Sequence, residues 1–109
     1  MHPIRFDALA VAFELARALR PLVDRIARHD RDLARQVRRA VSGVALNVSE
    51  GNRRRGGDRR HLFDSARGSA AEVDGALRFA EAFGYLDAPS IQPALELADR
   101  QRALLYRLR

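Results

Sequence analysis

QVRRAVSGVALNVSEG (residues 36–51), NRRRGGDRR (52–60) and HLFDSARGSAAE (61–72) are the stretch on which the reading of this chain turns. Two segments of helical periodicity flank a turn loaded with arginine. In the first, Val37, Ala40, Val41, Val44, Ala45 and Val48 recur at spacings of three and four, which puts them on one face of a helix. Valine is a mediocre helix former, but no period-two alternation argues for a strand. Leu33 extends the same face, so a helix is expected from about Leu33 to Asn52. Gly51 is placed to stop it, and Gly56-Gly57 supply flexible backbone to the turn. Asp58 stands where the next helix needs an N-cap. That helix runs to about Phe83, with Leu62, Phe63, Ala66, Ser69, Ala70, Val73, Ala76, Leu77 and Ala80 on its core face.

The same reading extends outward. Towards the N-terminus, Leu9, Ala12, Phe13, Ala16, Leu19, Val23 and Ile26 form the core face of a helix from about Phe6 to Arg28. Ala8, Val11, Leu15 and Leu22 widen its apolar arc to about half the circumference, more than one neighbouring core needs. Pro21 removes the bond to the carbonyl of Arg17 and is expected to kink or split this helix. Asp7 suits its first turn, and Arg25 and Arg28 its last. Asp30 or Asp32 can cap the following helix. Towards the C-terminus, Gly84 ends the third helix and Tyr85-Leu86 pack the corner. Asp87 or Ser90 caps a fourth, with Pro89 near its start. Ile91, Ala94, Leu95, Ala98, Leu105 and Leu108 face inward there, and Leu97 and Leu104 widen the arc. Four helical segments with short links predict an all-α, antiparallel up-down-up-down four-helix bundle. At 109 residues, one domain over 1–109 is expected.

Composition excludes several classes. There is no cysteine, hence no disulfide framework and no thiolate metal site. No apolar run approaches the ~20 residues of a membrane span, and the opening residues lack a signal-peptide pattern. A cytoplasmic protein without membrane contact is the expectation. All twenty basic residues are arginine. Genomic base composition is the plain account of the missing lysine, although arginine is also the better residue for bidentate phosphate contacts. Charge is unevenly placed. Residues 35–67 hold nine arginines against Glu50, Asp58 and Asp64, whereas the segments on either side are close to neutral. A localised positive field attracts polyanions; a solvated basic surface is the structural alternative.

Beside each inner core face runs a second line. On helix two it is Gln36, Arg39, Gly43, Asn47 and Glu50. On helix three it is His61, Ser65, Gly68, Glu72, Gly75 and Phe79. The spacing is that of a packing seam, but the residues are small or hydrogen-bonding. Glycine in mid-helix costs ~1 kcal/mol relative to alanine, which close approach of another backbone would justify. A hairpin turning near residue 55 sets Arg38 or Arg39 near Glu72, Gly43 near Gly68 and Asn47 near Phe63. Such a line either fixes helix register or forms a groove or subunit seam. Leu46, among Arg35, Arg39 and Arg53, favours the seam.

These residues carry a resemblance. Gln36, Val37, Arg38, Arg39, Ala40, Val44, Asn47, Val48, Glu50 and Gly51 match a pattern that continues, after a basic turn, with Phe63, Ala66, Gly68, Ser69, Glu72 and Gly84-Tyr85-Leu86. The pattern resembles the four-helix bundle proteins encoded in 23S rRNA intervening sequences, a group that includes the accessory variability determinant of diversity-generating retroelements. The chain departs from it in having Gly43 where serine is frequent, Ala45 where proline is frequent, and arginine throughout a usually lysine-rich turn. The resemblance implies an antiparallel bundle assembled as a homopentameric ring with a basic central region, and no established enzyme activity. For the retroelement relatives it implies nucleic-acid binding and partnership with a reverse transcriptase.

The expected function is therefore a non-catalytic, self-associating bundle that binds RNA or DNA backbone. The binding residues expected are Arg35, Arg38, Arg39, Arg53, Arg54, Arg55, Arg59, Arg60 and Arg67. Gln36, Gly43, Asn47, Glu50, Gly51, Gly68, Ser69 and Glu72 form the structural seam. No aromatic residue interleaves the arginines in sequence, so base stacking is not expected. The alternative is a structural or protein-interaction oligomer, for example an accessory partner of a reverse transcriptase. An enzyme is not expected. His61 with Asp64 or Ser65 is an incomplete acid–base or metal set, His2 and His29 receive no role, and neither phosphate-loop frame is present. No cofactor or metal is expected.

Overall fold

Helix boundaries follow from what satisfies their free N–H groups. The structure, a computed structural model, describes residues 3–109, with side chains from Asp7 onward; His2 lies outside the described residues. Four helices account for all regular structure among them: α1 (Pro3–Ala27), α2 (Arg31–Gly51), α3 (Gly56–Ala82) and α4 (Ala88–Leu108). Asp30 caps α2 from extended backbone, its Oδ1 accepting from the Leu33 N–H at 2.9 Å. Such a cap contributes ~1 kcal/mol. Its Oδ2 receives the Tyr85 hydroxyl at 3.3 Å, and the Tyr85 ring stacks on His29 at 5.2 Å. Leu86 is buried beside them. The α1–α2 link is thereby tied to the α3–α4 corner. Arg25 makes a second tie, donating to Ser90 Oγ at 3.0 Å and Asp87 Oδ1 at 3.2 Å.

One local expectation is corrected and two are refined. Asp58 is not the cap of α3. The helix starts earlier, with Arg55 in the N-cap position and no side-chain cap, and Asp58 sits within the first turn. Asp87 holds the N-cap position of α4, yet its carboxylate accepts from the Ser90 hydroxyl and Arg25 rather than from a backbone N–H. Pro21 does not split α1, which continues through it. Loss of the Arg17 hydrogen bond costs ~3 kcal/mol, but Leu19, Leu22, Val23 and Ile26 around it are all buried, at about 1.5–3 kcal/mol each for full burial.

Consecutive helices pack side by side, and α4 lies back against α1, giving a four-helix bundle of about 42 × 22 × 17 Å. Val37, Val44 and Val48 of α2 and Phe63, Val73 and Leu77 of α3 are fully buried, as the periodicity predicts. On α1 the inward face is rotated from the expected one. Ala8, Val11, Ala12, Leu15, Leu19, Leu22, Val23 and Ile26 are buried, while Phe13 is 48% exposed. Ala8 and Ala12, the small residues of this stretch, belong to the same buried cluster as the large Phe63.

The core has two parts. Leucines from α1, α3 and α4 dominate one, with Val37, Ala40, Val73 and Ala98 at its inner edge. The other is Ala8, Ala12, Val44, Val48, Phe63, Ala66, Ala70 and Leu105. On α4 the boundary falls at Gln101, between Ala98 and Leu105. Gln101 is fully buried, and neither its amide oxygen nor its nitrogen has a hydrogen-bond partner among the described residues. Periodicity assigns that position no core role; the structure places a polar amide there.

Candidate nucleic-acid interface

The end of α2 builds the turn. The Asn52 N–H bonds to the Val48 carbonyl at 3.0 Å, and the N–H groups of Arg53 and Arg54 bond to the carbonyls of Glu50 and Gly51 at 3.0 and 3.1 Å. Arg55 is extended, and Gly56 opens α3 at a φ of +55°, a left-handed conformation that glycine adopts without strain. Gly51 has a different role from the one expected. Its backbone is not left-handed; a Cβ there would overlap the Phe63 ring, with Cδ1 at 2.7 Å. Glycine at 51 lets Phe63 reach the core directly under the turn.

This geometry presents five guanidiniums around one end of the bundle. Arg53, Arg54, Arg55 and Arg60 are exposed and Arg59 is half-exposed. Arg54 pairs with Glu50 at 3.4 Å, one helical turn back. Arg59 Nε donates to the Arg54 carbonyl at 3.0 Å, folding that side chain over the turn. Arg53, Arg55 and Arg60 have no ion-pair partner among the described residues. The uncapped first turn of α3 adds N–H groups and the positive end of a helix dipole. His61 is exposed nearby, in a shallow groove with Glu50, Arg54, Asp58 and Leu62.

The other predicted arginines lie elsewhere. Arg39 and Arg35 are 14 and 18 residues from Arg53, or ~21 and ~27 Å along the helix. Arg35 is paired with Asp32 at 2.6 Å, and this contact, with the Arg35 charge, holds the Asp32 carboxyl below its ordinary range. Arg38 turns to the α1–α2 groove with Arg20 and Asp24. Arg67 sits against α4. The nine arginines thus form a tip group of five and four outliers.

Facing pairs across α2 and α3 are shifted from expectation. Gly43 opposes Ser69, whose Oγ would lie 2.9 Å from an added Cβ, and not Gly68, whose surroundings are open. Phe63 meets Gly51, and Asn47 is half-buried. No ion pair joins Arg38 or Arg39 to Glu72 among the described residues; Glu72 is exposed and shares a groove with Gln36, Gly75 and Phe79. The partner of Gly43 is one residue further along than expected, and each residue turns the helix face by about 100°.

Sequence reasoning missed the end of α4. Arg109 pairs with Asp64 at 3.5 Å, and Arg67 pairs with the same carboxylate at 3.3 Å. Both guanidiniums lie over the Tyr106 ring, 4.5 and 4.9 Å from its centre. An aromatic residue therefore does interleave the arginines, in space and not in sequence. The available signal was the α4 stripe Asp99, Arg102, Ala103, Tyr106, at spacings of three, one and three residues on one face of a helix packed beside α3. Asp64, offered above as a partner for His61, is engaged by two arginines instead.

Four packed helices with an arginine-rich tip and no strand among the described residues define an all-α bundle class. Its fold is that of a solved protein of unknown function from the S23 ribosomal protein family of Bacteroides thetaiotaomicron, with a TM-score of 0.78 at 14% identity over 96% of each chain. The chain belongs to the 23S rRNA-intervening sequence protein family, whose model matches residues 5–107. No curated protein matches it. No helix among the described residues is long and apolar enough to cross a membrane.

Proposed function

We propose that this chain is a non-catalytic, cytoplasmic bundle that self-associates and binds the backbone of RNA or DNA through the α2–α3 turn. The observation that carries the reading is the gathering of Arg53, Arg54, Arg55, Arg59 and Arg60 around one end of the molecule, opposed locally by Glu50 and Asp58 alone. Phosphate contacts of this kind position a ligand without reading its sequence. The family description, which refers to an intervening sequence of 23S rRNA, supports an RNA setting. Contacts of Gly51 with Phe63 near the turn, and the groove shared by Gln36 and Phe79 far from it, support an antiparallel up-down-up-down arrangement. A ring of five such bundles would multiply the tip charge into a collar.

Fluorescence anisotropy with a labelled oligonucleotide across a salt series tests the reading. The logarithm of affinity should fall with the logarithm of salt by several units, at ~0.9 per duplex phosphate neutralised. Changing all five turn arginines to glutamine should remove most of that slope. Binding indifferent to salt, or unchanged in that variant, refutes the assignment.

A second reading is a protein-interaction oligomer, such as an accessory partner of a reverse transcriptase, with no direct nucleic-acid role. It is favoured by Leu46, 68% exposed on the polar side of α2, and by the exposed Phe13 on α1. Light scattering separates the two halves of the proposal. A monomer at tens of micromolar removes self-association and leaves the tip assignment to be judged by the salt series.

A further inference from the structure

Tyr106 is 56% exposed, and its ring contacts are with guanidiniums. Of the other well-exposed aromatics, Phe79 and Phe83 stack on each other at 5.1 Å at the end of α3, and Phe13 lies on α1. Beside Tyr106 is an open depression of about 480 Å³ lined by Arg67, Asp99, Arg102, Ala103, Tyr106 and Arg107. Three of those six side chains are cationic. Arg107 is exposed and has no ion-pair partner among the described residues. Arg67 is only partly used, because its Nε is buried without an acceptor.

The site is continuous with the arginine turn. Arg60, Asp64 and Arg67 occur at i, i+4 and i+7 on α3, hence on one face. They lead from the tip to Tyr106 in ~10 Å of helix. An extended polyanion lying on the tip would pass this ring next. Duplex phosphates need no aromatic surface, and duplex bases are stacked on one another. An exposed tyrosine with guanidiniums over its ring offers what an unpaired base uses, a stack of flat side-chain planes on which a base can lie, with cations beside it for the adjoining phosphate.

We propose that the α3–α4 face around Tyr106 receives an unpaired nucleobase, stacked on the tyrosine or on an adjacent guanidinium, with Arg67, Arg102 and Arg107 holding the neighbouring phosphates. The chain would then discriminate single-stranded from duplex nucleic acid. This rests on the reading of the turn as a phosphate-binding tip, and adds to it the class of strand preferred.

Anisotropy titrations of one labelled oligonucleotide, single-stranded and annealed to its complement, as RNA and as DNA, test the site at fixed salt. Wild type should bind the single strand more tightly. Tyr106→Ala should weaken single-strand binding about tenfold, within the range measured for loss of one stacked base, and leave duplex binding within about twofold. Tyr106→Phe, which keeps the ring, should bind as wild type. The Tyr106 side chain is exposed, and circular dichroism checks that both variants fold. Equal weakening on both ligands, no weakening on either, or Tyr106→Phe behaving as Tyr106→Ala would overturn the site. A turn variant with its five arginines changed to glutamine that still binds duplex as wild type overturns the tip assignment instead. Absence of binding to every ligand overturns both.

Discussion

Three helical glycines make opposite demands on an added methyl group, and their alanine variants test the packing directly. Gly68 lies in the interior of α3, its backbone is not left-handed, and a Cβ there meets nothing within 4 Å. Alanine should stabilise it by the helix-propensity difference of ~1 kcal/mol. Gly51 gains less from propensity because it ends α2, and its Cβ would run into the ring of Phe63, which is fully buried. Overpacking costs about 1–3 kcal/mol, so Gly51→Ala should destabilise by ~1–2 kcal/mol. Gly43 falls between them. Its Cβ would lie 2.9 Å from the Ser69 hydroxyl, which can rotate away, with Ser69 Cβ at 3.5 Å. The expected order of stability is Gly68→Ala, then Gly43→Ala, then Gly51→Ala. Thermal melts at one protein concentration measure it, because association shifts apparent stability. About 4 °C separates variants 1 kcal/mol apart in a domain of this size. A Gly68→Ala variant destabilised by 1 kcal/mol or more would refute the reasoning, since it would put another backbone against that side of α3. A neutral Gly51→Ala would refute the Phe63 contact.

Three further outcomes are expected. Gln101→Met keeps the side-chain volume and removes two buried polar atoms that lack partners among the described residues. Urea unfolding should show it more stable by about 1–3 kcal/mol, the usual penalty of an unsatisfied buried group, and a loss of stability would show that the amide is bonded. Acid should loosen the α1–α4 tie. The Ser90 hydroxyl, then Arg25, hold the Asp87 carboxyl below its ordinary 3.8. Its contribution is therefore present above that pH and lost as pH falls through the depressed value; Asp87→Asn should flatten the acid limb of a stability–pH curve. Tyr85 behaves oppositely. Burial, the Asp30 charge and the bond to Asp30 raise its phenol above 10.0. The neutral phenol's contribution is complete below that pH and disappears as pH rises through the raised value. Ultraviolet titration should lose its late-ionising tyrosine in Tyr85→Phe.

Much of the fold was legible because it rests on local chemistry. Apolar spacing marks α2 and α3 with Val37, Val44, Val48, Phe63, Val73 and Leu77 inside. Asp30 announces its cap, and Gly84, with a φ of +81°, ends the α3 corner. What sequence could not show depends on partners. Phe13 and Leu15 are both apolar, and only the packing of the other helices decides that Leu15 turns inward and Phe13 outward. The seam register is set by side-chain contacts between the two helices, so numbering about the turn places Gly43 against Gly68 where the structure has Ser69. At the candidate site, the five turn arginines are contiguous enough to be read as one cluster. Tyr106 is not, because Arg67 is 39 positions before it, and only the return of α4 beside α3 unites them.

Gln101 divides the core into unequal halves, and that inequality bears on motion. The half away from the turn holds seven leucines and two isoleucines, from α1, α2, α3, α4 and the corner before it. The half beneath the turn holds four alanines, two valines, Leu105 and Phe63. Local opening costs least where little apolar surface is buried. The arginine end should therefore breathe while the opposite end stays closed, with amide exchange in the second half of α2 and the first half of α3 running ahead of that in the central turns of α1. A tip able to adjust its guanidiniums on a rigid base suits a ligand whose phosphates come at variable spacing.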